Sequence, residues 1–149
     1  MIIELTEEQC REILSANHYA HLGCVDGDEP HVVPITYAYE DGCFYGFTFE
    51  GAKITVLRKN PTMCVQVEKL LSEHRLEIVL CWGTFEEITD AAEAQRVKLL
   101  FAQRHGDAIL GHSDPPVTPG VHESHPRSTK KPVTYRMRPY RMTGRAETR

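Results

Sequence analysis

A lysine in the first turn of a helix stands against the helix dipole, and Lys53 does so directly after a glycine turn, in the run Gly46 to Pro61, GFTFEGAKITVLRKNP. The usual preference in a first turn is for acidic side chains. A helix start with free backbone N–H groups and an added positive charge is the chemistry of an anion site, most often for a phosphate. The alternative is a solvated surface lysine, since the first-turn penalty is only about 0.3–1 kcal/mol. A second set of reactive side chains is His105, His112, His122 and His125. Clustered histidines can hold zinc, iron or haem, but no cysteine lies nearby and the local carboxylates are Asp107, Asp114 and Glu123. They read as solvated loop histidines, and no metal site is assigned. No Ser-His-Asp set, Cys-His set or acid/base pair emerges from spacing.

The elements that must position Lys53 follow from periodicity. Thr6 and Gln9 form a capping box ahead of the Cys10, Ile13, Leu14 stripe, which predicts a helix over 6–16. His18 to Val25 alternates as a strand and stops at the turn DGDEP. The next strand, His31 to Tyr39, carries Pro34 in its middle, and proline is confined to edges or bulges because it cannot donate to a ladder. A strand interrupted there leaves backbone groups for a ligand, or is an edge strand with a solvated face. Glu40-Asp41-Gly42 is a hairpin turn, and a third strand starts at Cys43. A short helix from Ala52 buries Ile54 and Leu57 and ends at Asn60-Pro61. Further strands are expected over 62–68 and 76–88, with a polar connection over 69–75 and a bend at Gly83. Asp90 and Glu93 cap a helix ending near Gly106. Proline-rich residues 106–131 form a long connection, of the kind that serves as lid, wrapping loop or disorder. A closing strand runs from Pro132 to Thr143. Trp82, the sole tryptophan, is more at home in a core than as a stacking partner.

The segment Pro30 to Glu68 resembles the central part of the pyridoxamine 5'-phosphate oxidase-like, FMN-binding split-barrel family. The shared features run in order: a V-x-P strand, an acidic-Gly turn, an aromatic strand, a small-residue–x–Lys turn, a helix ending in Asn-Pro, and another strand. WGTFEEITDAAEAQR and MTGRAE are weaker echoes. The resemblance implies one α+β domain over 1–149, a six-stranded antiparallel split β-barrel with short flanking helices. It implies FMN at sites shared across a homodimer. The phosphate would meet Lys53, the Ala52 and Lys53 amides and the Thr48 hydroxyl. Gly46 and Phe47 would flank the ribityl chain, and main-chain groups of Val32, Val33, Pro34, Ile35 and Thr36 would line the ring. Two features depart from named branches. Phe47 stands where nitroimidazole reductases carry histidine. His31 and Ile78 stand where vitamin B6 oxidases carry arginine and a polar residue.

The expected function is a flavoprotein oxidoreductase passing electrons from NAD(P)H to a small acceptor. The alternative is a non-catalytic flavin, haem or F420 binder on the same barrel. Composition adds boundaries. In 149 residues there is no apolar run near the roughly 20 residues of a membrane span, and the N-terminus is acidic, unlike a signal peptide. Five cysteines at irregular spacing read as reduced core thiols of a cytoplasmic protein. The net charge is −4, yet residues 127–149 hold eight basic side chains against Glu147 alone. These alternate with Val133, Tyr135, Met137, Tyr140 and Met142, which reads as strand with solvent-facing arginines rather than a nucleic-acid surface.

Overall fold

Strand-period sequence dominates the chain, and three short turns fold consecutive strands into hairpins. A computed structural model of the protein describes residues 1–106 and 131–149. Strand β1 (Ile2–Glu4) and helix α1 (Glu7–Ala16) precede β2 (Tyr19–Asp26), β3 (Glu29–Thr36), β4 (Ala38–Glu40) and β5 (Cys43–Phe49). Helix α2 (Ala52–Lys59), β6 (Thr62–Ser72), β7 (Arg75–Glu87), α3 (Ala91–His105) and β8 (Pro132–Thr148) follow. The strands form one antiparallel sheet in the order β3-β2-β6-β7-β8-β5-β4, with β1 beside the end of β8. Contacts between β3 and β5 curl that sheet into an α+β split barrel.

Alternation decides which side chains enter the barrel. Leu22 and Cys24 of β2, Val65 and Val67 of β6, Val79 and Cys81 of β7, and Tyr135 and Met137 of β8 all point inward and are buried. Helix α1 adds Cys10, Ile13 and Leu14, and α2 adds Ile54 and Leu57. A second cluster lies outside the barrel, where Val97, Leu100 and Phe101 of α3 cover Cys43 and Tyr45. Strand β5 is therefore packed on both faces. The helix signals are realised in detail. Thr6 accepts from the Gln9 amide at 3.1 Å while the Gln9 side chain accepts from the Thr6 amide at 2.8 Å. Asp90 accepts from the Glu93 amide at 2.9 Å.

The described residues hold eight strands, not six. Strand β1 is three exposed residues whose partners, Arg145 to Glu147, lie at the far end of the chain. The single strand expected over 31–39 breaks at Tyr37. There the backbone N–H donates to His18 at 2.9 Å and the buried hydroxyl donates to the Leu14 carbonyl at 2.9 Å, so the chain leaves β2 and joins β5 as β4. The polar connection over 69–75 is paired ladder nearly to its tip, with Leu70 and Leu71 exposed. Strand β8 continues past Thr143 to Thr148. The connection expected over 106–131, with His112, His122 and His125, lies outside the described residues save for its ends. No helix among the described residues is long and apolar enough to cross a membrane.

The Tyr37 hydroxyl gives a direct stability test. Tyr37→Phe leaves the Leu14 carbonyl without this donor and is expected to cost about 1 kcal/mol. The urea midpoint should fall with the denaturant slope unchanged. An unmoved midpoint would show that the bond does not hold the strand break.

Candidate flavin-phosphate turn and sheet-edge groove

Strand β5 ends at Phe49, and Glu50-Gly51 turns the chain into α2. Gly51 occupies the N-cap in extended backbone (φ −176°) and brings no side chain to the first-turn amides of Ala52 and Lys53. The other two helices are capped by Thr6 and Asp90 and carry glutamate in the first turn; α2 has neither device. Its position is fixed from the far end. Arg58 in the last turn grips Glu50 at 2.7 and 2.8 Å and Glu87 of β7 at 2.7 and 3.1 Å. These pairs bind the helix to the turn that precedes it and to the sheet.

Lys53 is half-buried, and α2 packs on β2. Burial raises the Cys24 thiol above its ordinary value, Cys64 and Asp26 add to the rise, and the Lys53 ammonium opposes it. The lysine charge therefore sits beside the C-terminal half of β2, the strand that pairs with β3.

Strand β3 ends the sheet path, so one of its edges has no ladder partner among the described residues. Pro34 explains how that edge is used. Tyr37 donates toward β2, and alternation then turns Val33 and Ile35 toward β2 as well. Pro34 falls at a position facing away, where its missing N–H costs no ladder bond. Val32 and Thr36, two residues either side, point their N–H and C=O groups out of the sheet along with the Pro34 carbonyl. The Val32 side chain is 69% exposed, whereas Ile35 is buried at 2%. Of the five residues named from sequence, Val32, Pro34 and Thr36 thus offer backbone groups, and Val33 and Ile35 hold the strand in place.

A groove of about 470 Å³ opens along this region, lined by Tyr19, Ala20, His21, Pro34, Ile35, Gln66 and Glu68. Tyr19, His21, Gln66 and Glu68 were not singled out from sequence. They are alternate residues on the outward faces of β2 and β6, and the register His21↔Gln66 sets them side by side. The Gln66 amide donates to Glu68 at 2.6 Å.

Three further residues named from sequence lie away from this groove. Gly46 and Thr48 face the barrel interior, where Thr48 is 1% exposed. Phe47 faces the opposite way, against the α3 cluster, with the Lys98 ammonium 6.0 Å from its ring centroid. The Tyr135 ring covers Gly46 so closely that a Cβ there would lie 2.0 Å from Cζ.

The sequence profile of the pyridoxamine 5'-phosphate oxidase family matches residues 6–146. The chain belongs to this family. An uncharacterized protein of Rhizobium meliloti (strain 1021), RA0666, is 32% identical over 84 residues, which span 56% of this chain and 56% of that relative. The solved structure of an FAD-binding protein from Mesorhizobium loti superposes with a TM-score of 0.81 at 25% identity, covering 99% of both chains. That of a putative 5-nitroimidazole antibiotic resistance protein from Bacteroides thetaiotaomicron gives 0.72 at 22% identity, over 98% of this chain and 87% of that one. The latter likeness is one of fold.

This pyridoxamine 5'-phosphate oxidase family member has one described histidine from the C-terminal group. His105 places Nε2 2.9 Å from the Tyr37 carbonyl and packs edge-on against Phe101. No cluster of three or more metal-ligating side chains exists among the described residues. Burial holds the imidazole below the ordinary histidine value, with the Tyr37 bond opposing and the charges of His18 and Arg104 assisting. The unfolded chain therefore takes up the proton first. The stability due to neutral His105 is complete above about pH 6.5 and declines as pH falls below it toward the folded value. His105→Gln should flatten that acid-side decline, seen in urea midpoints at about pH 7.5 and about pH 5.5. Equal declines in both proteins would contradict it.

Proposed function

We propose that this chain binds a flavin, FMN, and acts as an oxidoreductase that passes electrons from NAD(P)H to a small acceptor. The observation that carries the reading is the uncapped start of α2 with its half-buried lysine beside β2, together with the edge of β3, the strand paired to β2, that has no ladder partner among the described residues. The residues fit the group. Lys53 and the Ala52 and Lys53 amides suit a phosphate dianion. The Val32, Pro34 and Thr36 backbone suits the alternating donors and acceptors of a planar heteroaromatic edge. Thr48, buried at the end of β5, supports the turn from the inner face. The Mesorhizobium loti protein is described as FAD-binding, and FAD shares the ring and first phosphate of FMN, so the same turn would serve either.

When bound, the flavin supplies hydride and single-electron transfer. The chain supplies binding and orientation, and Tyr19, His21, Gln66 and Glu68 are the polar side chains that line the groove. The outward face of the sheet beside the groove has Cys64 and Ile78 half-buried with Tyr19 exposed at 48%. A second copy covering this face would enclose the groove and give a homodimer with shared sites. Anaerobic mixing of the FMN-loaded protein with NADH or NADPH tests the activity. Bleaching of the visible flavin band, restored by an added acceptor, is the expected result. An FMN-loaded protein that neither nicotinamide reduces would leave a flavin binder without this activity.

A further inference from the structure

At the other end of β5 from the α2 turn, a pocket of about 230 Å³ is lined by Arg11, Arg138 and Arg141, with Tyr39, Tyr140 and Glu7. Its charge is unusual for this chain, whose net charge is −4. Arg58, Arg96, Arg136 and Arg145 each meet a carboxylate within hydrogen-bond distance. Arg138 instead donates to the Asp41 carbonyl at 3.3 Å, and the Arg141 guanidinium lies 3.7 Å over the Trp82 ring centroid. Neither has a carboxylate partner among the described residues. Glu7 is the pocket's single acid and is taken up by Arg11 at 2.6 Å. Two guanidinium groups in one concave site are thus left without a carboxylate in hydrogen-bond reach, although the Arg138 charge also helps to hold the Glu86 carboxyl below its usual range.

The backbone builds this site. Pairing steps from Trp82↔Arg141 to Gly83↔Pro139, which leaves Tyr140 as the extra residue of a bulge. A bulge re-aims side chains, and here it turns the Tyr140 ring into solvent, 69% exposed, between the two arginines. Gly83 permits the close crossing, since a Cβ there would meet the Arg138 carbonyl at 2.9 Å. On the opposite wall, the turn with Asp41 (φ 51°) and Gly42 (φ 76°) presents the carbonyl that holds Arg138.

We propose that this pocket is a second anion site, which takes the phosphate of a nucleotide on Arg138, Arg141 and Arg11 while Tyr140 stacks on the base. Guanidinium groups bind phosphate through paired, charge-assisted donors, and an exposed aromatic ring beside them is a platform for a heterocycle. The proposal is independent of the flavin reading.

Trp82 makes the test direct, because it is the sole tryptophan and Arg141 lies on its ring. Purified full-length protein is titrated with adenosine 5'-monophosphate, and separately with inorganic phosphate, following tryptophan emission and heat. The expected result is saturable AMP binding that changes Trp82 emission. Affinity should fall at least tenfold in Arg138→Gln/Arg141→Gln and stay unchanged in Lys53→Ala and Arg145→Gln. Tyr140→Ala should weaken AMP several-fold without affecting phosphate. Thermal melts of the exposed-residue variants confirm their folding. The proposal is overturned if wild type shows no saturable binding of AMP, if the double variant binds as wild type does, or if Lys53→Ala abolishes binding. Equal affinity for AMP and phosphate, with no effect of Tyr140→Ala, would overturn the nucleotide assignment.

Discussion

Lys53→Ala is expected to weaken FMN binding about ten- to hundredfold while leaving riboflavin binding unchanged. A charge-assisted hydrogen bond contributes about 1.5–3 kcal/mol, and about 1.4 kcal/mol is a factor of ten in affinity. Riboflavin lacks the phosphate, so the same substitution removes nothing that it uses. A cation in the first turn of α2 opposes the helix dipole, and that contribution changes by no more than about 1 kcal/mol when the charge is removed. Lys53→Arg should retain much of the affinity, since the charge is kept. Equilibrium titrations of the three proteins with both flavins check this. An alanine variant that binds FMN as tightly as wild type would remove Lys53 from the site.

Gly46→Ala is expected to destabilise the protein by about 3 kcal/mol, the upper end for overpacking a core. The added methyl would sit 2.0 Å from Cζ, 2.3 Å from Cε1 and 2.5 Å from the hydroxyl oxygen of Tyr135. That ring is 2% exposed and packs on Phe85 at 5.4 Å between centroids, so it has nowhere to swing. Strands β5 and β8 would have to part, disturbing the end of β5 that leads to the α2 turn. At about 2–4 °C per kcal/mol for a chain of this size, the melting temperature should drop by about 6–12 °C. Pairing the change with Tyr135→Leu should recover part of the loss, because the two sites share one space. An undiminished melting temperature would mean that the ring is not fixed over Gly46.

What could be read from sequence was local. Thr6 with Gln9, Asp90 with Glu93, Asn60-Pro61 and Asp41-Gly42 each act within a few residues, and each produced its cap, stop or turn. The start of α2 was legible for the same reason, as glycine, small residue and lysine stand together. What escaped depended on distant partners. Strand β1 exists because β8 offers an edge to Ile2 and Ile3. The break at Tyr37 depends on the carbonyls of His18 and Leu14. Gly46 stands in the strand that starts at Cys43, and nothing near it in sequence points to the Tyr135 ring packed on it. The groove residues His21, Gln66 and Glu68 gave only the weak signal of polar residues at every second strand position. The arginine pocket gave less, since a one-residue bulge creates it.

The central claim is that a phosphate-bearing flavin is held by the α2 turn. The most direct measurement compares the affinities of the wild-type protein for FMN and for riboflavin under identical conditions. FMN bound at least tenfold more tightly is the result expected from a lysine and two helix-start amides on the phosphate. Equal affinities for the two, or no binding of either, would contradict the account.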